Sequence, residues 1–123
     1  MMAIEYVGGL PGRGAVTPVA ASVQDDTLRL KHGRLFGGWS YQVPLAAIVS
    51  VELATTQEVL AAKHLSDAVA AGLDQPQERF LAVAVSAGDH PTTIILRGPW
   101  ATLSELRQAI LQGRMRAAKQ WHA

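Results

Sequence analysis

The chain has 123 residues, 49% of them apolar and 17% charged, with a formal net charge of +1 and no cysteine. That length suits one domain over 1–123, which can bury roughly two thirds of the surface its unfolded chain exposes, so a core needs no covalent staples and disorder is excluded. The missing cysteines remove disulfides, thiolate metal sites and thiol nucleophiles, which makes a reducing cytoplasm the expected setting.

The opening residues "MMAIEYVGG" lack the basic region and apolar stretch of a secretory leader. No apolar run approaches the length of about 18 residues that spans a bilayer, so no transmembrane segment is expected. Next comes "YVGGLPGRGAV" (6–16), four glycines and a proline around Arg13. A dinucleotide fingerprint requires G-x-G-x-x-G and a P-loop requires a terminal Gly-Lys-Ser or Gly-Lys-Thr. Gly8, Gly9, Gly12 and Gly14 satisfy neither spacing, and the residues after them are of β-type, so the segment reads as a turn leading into the first strand.

That strand is expected over 15–23, "AVTPVAASV", with Val19, Ala21 and Val23 on one parity. Pro18 cannot donate to a ladder and points to an edge strand or a bulge. "QDDT" (24–27) supplies turn chemistry, "LRLK" (28–31) resumes the alternation, and the pair reads as a hairpin. After "HGRLFGG" (32–38), Trp39, Tyr41 and Val43 alternate with Ser40 and Gln42, and Pro44 ends that strand. "IVSVELATT" (48–56) places Val49, Val51 and Leu53 on one parity. Strands this close in sequence favour antiparallel hairpins or a meander over crossover units.

The period then changes. Val59, Ala62, Leu65, Val69 and Leu73 recur at steps of three or four, Thr55 and Glu58 have capping-box spacing, and Gly72 is placed to stop the helix. "RFLAVAVSA" (79–87) and "TTIILRG" (92–98) read as strands joined by the turn "GDHP" (88–91). Thr102 and Glu105 form a second capping-box pattern before a helix whose apolar stripe runs Leu103, Leu106, Ile110, Gly113, Ala117 and Trp121.

No catalytic constellation, metal site or cofactor site is legible. Ser40 lacks the second glycine of a nucleophile elbow and sits on an alternating strand. His32, His64, His90 and His122 lie in separate elements without metal-ligand spacing, although folding can still gather Asp25, Asp26, Asp89 and His90. Arg29, Lys31 and Arg34, with His32, form the best electrostatic cluster outside the last helix, either a solvated strand face or a site for a phosphate-bearing head group. Arg114, Arg116 and Lys119 complement the dipole of the last helix. This charge is far weaker than the stripe of a dedicated nucleic-acid binder, so no nucleic-acid partner is expected. Trp100 and Trp121 read as core or interface residues before ligand platforms.

"GGLPG", "VQDDTLRLK", "YQVPLAAIVSVEL", "FLAVAV", "TTIILRG" and the final helix together resemble the pleckstrin-homology-like superfold, including the small bacterial PH and GRAM-like domains, over about residues 6–120. The resemblance implies an α+β fold: a PH-like open β-barrel of about six or seven antiparallel strands, capped by the C-terminal helix over about 102–121. The helix over about 57–72 is then an insertion that covers an edge or an opening, or makes an oligomer contact through Val59, Leu65 and Val69, with Trp100 and Trp121 as further interface residues. It also implies a non-enzymatic binding or scaffolding module that acts through protein contacts, including self-association. The alternative is a binder of anionic lipid head groups through Arg29, Lys31 and Arg34. Lipid-binding members usually concentrate Lys and Arg across the first two strands, a pattern that only Arg29 and Lys31 fit here. A third reading is a small ligand-binding protein or enzyme whose site is assembled only by folding.

Overall fold

The computed structural model describes residues 2–9, 16–33, 38–61, 79–87 and 90–121. Seven strands, β1 (Met2–Gly8), β2 (Thr17–Gln24), β3 (Thr27–Gly33), β4 (Gly38–Pro44), β5 (Ile48–Thr55), β6 (Arg79–Ala87) and β7 (His90–Arg97), make one antiparallel sheet in the order β4-β3-β2-β1-β7-β6-β5. A 3-10 turn over Leu45–Ala47 joins β4 to β5, the short helix α1 (Thr56–Ala61) follows β5, and the 22-residue helix α2 (Trp100–Trp121) follows β7. The fold is therefore α+β, and the first strand is joined to the last.

Residues 2–8, expected to lie ahead of the first strand, form β1 at the middle of the sheet. Ile4 and Tyr6 enter the main core while Val7 is buried on the opposite face, so its burial does not follow the alternation of a half-exposed strand. The glycine segment thus follows the first strand and does not precede it. The β1–β7 register shifts between Tyr6 and Gly8, and Gly9 continues with φ +110. A Cβ there would run into the Thr93 carbonyl, so glycine answers a backbone demand. Residues 10–15, including Arg13, lie outside the described residues.

Pro18 sits in β2, an interior strand whose pairing with β1 runs through Pro18 without a register shift, so it marks neither the edge nor the bulge expected of it. The β2–β3 ladder begins only at the Ala20–Lys31 pair, and His32 Nδ1 lies 2.8 Å from the Pro18 carbonyl oxygen. The missing N–H of Pro18 faces a place where the ladder has already ended. Since a carbonyl only accepts, that His32 nitrogen carries the proton.

The β2–β3 hairpin closes through Asp25 (φ 53) and Asp26 (φ 58), both left-handed, as a two-residue type I′ turn requires. In β5, Val49 departs from its expected parity and is 62% exposed. A bulge between Ile48 and Ser50 turns it outward and leaves Val51 buried. The expected 88–91 turn is shorter, because His90 and Pro91 already pair with Ala87 and Ser86.

The capping box at Thr55 is formed. Glu58 N–H donates to Thr55 Oγ1 at 3.3 Å and Thr55 N–H donates to Glu58 Oε1 at 3.1 Å. Of the expected 57–72 helix, residues up to 61 lie in α1 and the remainder falls outside the described residues. The second capping box, Thr102 with Glu105, is not the start of α2. Leu103 N–H donates to the Pro99 carbonyl at 3.0 Å, so the helix begins at Trp100, where the fixed φ of Pro99 ends the strand exit.

Leu103, Leu106 and Ile110 are fully buried in the main core with Leu28, Leu30, Val43, Val51, Val83 and Leu96. Gly113 allows α2 to approach the 3-10 turn, since a Cβ there would overlap Leu45 Cδ1. The sheet curls around this helix. Tyr6 of β1 and Trp39 of β4 meet edge to face at 5.5 Å, although three strand spacings in a flat sheet would set them about 14 Å apart. Likewise α2 touches both β2 and β5. A second cluster, Val7, Val59, Phe80 and Ile95, fills the opposite face beneath α1.

Candidate binding surface

In β3, Leu28 and Leu30 point into the core, which sends Arg29 and Lys31 to the exposed face. The Asp25–Asp26 turn sets the register, so Ser22 lies opposite Arg29 and Ala20 opposite Lys31 on β2. On β4 the opposite neighbours are Gln42 and Ser40. Two cations about 7 Å apart along one strand are therefore surrounded by small or neutral polar side chains. No residue of β2, β3 or β4 is acidic.

Between the two cations and Ala20, Ser22 and Gln24 lies a cleft of about 180 Å³. A second, more open cleft of about 300 Å³ lies at the far end of the β3–β4 hairpin, lined by Lys31, His32, Trp39 and Ser40. His32 and Trp39 face one another across that pair, with ring centroids 6.3 Å apart. Ser22, Ser40 and Gln42 were not singled out from sequence as neighbours of the cations. Strand parity shows that they point outward, but only the register says which cation each one flanks.

The remaining candidates are scattered. Arg34, Leu65 and Val69 lie outside the described residues, as does the side chain of Trp121. Val59 is 3% exposed and packs on this chain's own sheet, against Val7, Phe80 and Ile95. Trp100 is 52% exposed, and the Arg79 guanidinium stands 5.7 Å from its ring centroid, within cation–π range. Arg116 lines a cleft with Asp25 and Asp26. Ser40 is an exposed strand residue. The gathering of Asp25 and Asp26 with Asp89 and His90 involves side chains outside the described set.

A groove of about 490 Å³ along α2, lined by Met2, Ser104, Glu105, Gln108, Ala109 and Gln112, brings one carboxylate together with amides and a hydroxyl. Among the described residues, no group of three or more His, Asp or Glu side chains is placed to hold a metal ion. Among the same residues, no helix is long and apolar enough to cross a membrane.

The two ends of the sheet differ. At β5, Arg107 Nε donates to the Val51 carbonyl at 3.2 Å and Thr55 N–H is taken by Glu58, so side chains occupy part of that edge. At β4, no side chain of a described residue takes the peptide groups of Gly38, Ser40 or Gln42 in this way.

Comparison with protein-family models, curated proteins and solved structures found no significant match.

Proposed function

We propose that this chain is a small PH-like binding module of the PH or GRAM-like kind found in bacteria, cytoplasmic and non-enzymatic, which acts through protein contacts. The fold part of this reading is supported by the meander in which β1 joins β7, curled around a C-terminal helix. The functional part is carried by one observation: Arg29 and Lys31 stand exposed on strands β2 to β4, which hold no acidic residue, beside an edge strand whose outward peptide groups no side chain among the described residues takes. Such a surface suits a complementary protein surface, and such an edge also suits self-association.

The second reading, an anionic lipid head group held by Arg29, Lys31 and Arg34, is favoured by the cleft between Arg29, Lys31 and Ser22. Sedimentation with vesicles of phosphatidylcholine alone, and of phosphatidylcholine mixed with phosphatidylserine, separates the two readings. The protein-contact reading expects the chain to stay in the supernatant with both. Pelleting with the anionic vesicles alone, weakened by salt and lost in the Arg29→Glu/Lys31→Glu double variant, overturns it in favour of the lipid reading. Light scattering after size exclusion addresses self-association, which a strict monomer at high concentration removes.

A further inference from the structure

We propose that the outer edge of β4 is a docking strand for an extended acidic segment of a partner protein. The segment pairs with Gly38, Ser40 and Gln42 and sets its carboxylates against Arg29 and Lys31. This rests on the reading of the chain as a protein-binding module, and it adds the place and the chemistry of the partner.

The β2–β3 hairpin sets the phase of the ladder. A two-residue turn makes its flanking residues, Gln24 and Thr27, a hydrogen-bonded pair, and in an antiparallel ladder such pairs alternate with non-bonded ones. Arg29 and Lys31 therefore direct their peptide groups toward β2, whereas Leu28, Leu30 and His32 direct theirs toward β4. Their partners Val43, Tyr41 and Trp39 bond inward. Gly38, Ser40 and Gln42 must then turn both N–H and C=O to the outside. The short contact between His32 and Pro18 fits the same phase, because it places the Pro18 carbonyl on the β3 side of β2.

At the other end of the sheet, the corresponding outward groups of β5 are those of Val51, Leu53 and Thr55. Arg107 takes the carbonyl of the first and Glu58 takes the N–H of the last. Natural sheets block their edges with charged side chains, prolines or bulges. The β5 edge has two such blocks and a bulge, while β4, "GWSYQVP", has no charge and no proline before its last residue. An edge that no side chain among the described residues occupies, in a chain whose other edge is blocked, is a place for a strand to add.

Charge then selects the occupant. Side chains of an added strand that pair with Ser40 and Gln42 point to the same exposed face as Arg29 and Lys31, two strand spacings or about 9.5 Å away. The intervening Ser40 and Gln42 are neutral, so long cationic and carboxylate side chains can meet above them. Alternate side chains fall on the other face beside the half-buried Trp39 and Tyr41 and suit apolar residues. The segment is thus acidic and apolar in alternation. A second copy of β4 would instead extend a face on which both contributors are cationic.

The test uses the full chain with a fluorescein-labelled, end-blocked peptide Glu-Val-Glu-Thr-Glu and its lysine counterpart Lys-Val-Lys-Thr-Lys, followed by anisotropy and amide hydrogen exchange. The acidic peptide is expected to bind about fivefold or more tightly than the basic one, the scale of two exposed ion pairs. The Arg29→Glu/Lys31→Glu variant should reverse that order. Saturation should slow exchange at the Ser40 and Gln42 amides by roughly tenfold or more while leaving Leu53 unchanged. Ser40→Pro, which removes only an outward N–H, should abolish binding. If that variant fails to fold, exchange at Ser40 and Gln42 in the unaltered chain decides. Binding without protection of those two amides overturns the edge while leaving a protein-binding face. Absence of peptide binding also overturns the edge, and when joined by anionic-vesicle binding it removes the protein-contact reading as well. Protection of the same amides by self-association makes a second copy the occupant and overturns the acidic partner.

Discussion

Gly9 shows how a single residue carries the glycine segment's purpose. Its φ of +110 and the nearby Thr93 carbonyl leave no room for a side chain at the exit from the central strand. Gly9→Ala combines a disfavoured backbone angle with a clash against a backbone atom, and it should cost at least about 2 kcal/mol in urea unfolding. The hairpin tip invites the reverse substitution. Asp26 has φ 58, a region that costs an L-residue about 1–2 kcal/mol, while its hydrogen bond to Leu45 N–H uses only its carbonyl. Asp26→Gly should therefore stabilise the fold by about 0.5–1 kcal/mol after the added entropy of an unfolded glycine is subtracted, read as a raised urea midpoint.

The edges and caps are properties of elements. The Arg107 side chain crosses from α2 to Val51 and occupies a carbonyl on the β5 edge, so its removal frees that carbonyl for another strand. Arg107→Ala is expected to lower stability by about 0.5–1.5 kcal/mol and to increase self-association, measured by light scattering after size exclusion. Arg107→Lys, which keeps a donor, should show less of both. An unchanged mass for the alanine variant across concentrations would mean that Arg107 does not guard the edge. At the end of the same β5 strand, the Thr55–Glu58 cap ties it to the start of α1. That tie positions Val59 over Val7, Phe80 and Ile95.

At the scale of the molecule, one core runs from β3 and β4 through α2 to β5 and β6, so the sheet is expected to unfold as one unit. The first and last strands are also fastened to each other, by the β1–β7 ladder and by the 3.1 Å ion pair between Glu5 and Arg97. Leu106 is fully buried at the centre of the helix stripe. Leu106→Ala should cost about 2–5 kcal/mol, and the far-ultraviolet and tryptophan-fluorescence transitions should shift together as one cooperative step. Separate transitions would indicate that the two ends of the sheet unfold independently.

The features legible in the amino-acid order were local ones. Alternation placed Arg29 and Lys31 outside and Leu28 and Leu30 inside, turn chemistry marked Asp25 and Asp26, and spacing marked the Thr55–Glu58 cap and the stripe from Leu103 to Gly113. Each of these depends on atoms a few residues apart, so a short window contains the whole cause. That residues 2–8 are the central strand emerged only from the folded chain, because their partners lie as far away as Arg97, 92 positions beyond Glu5. Folding likewise settled that a bulge turns Val49 outward and that Pro18 can sit inside the sheet where a ladder stops. The flanking of Arg29 by Ser22 and Gln42, and the blocking of β5 by Arg107, come from register and from the curl of the sheet around α2. Pairing between distant strands is chosen by the burial of the whole core, which no short stretch of the chain encodes.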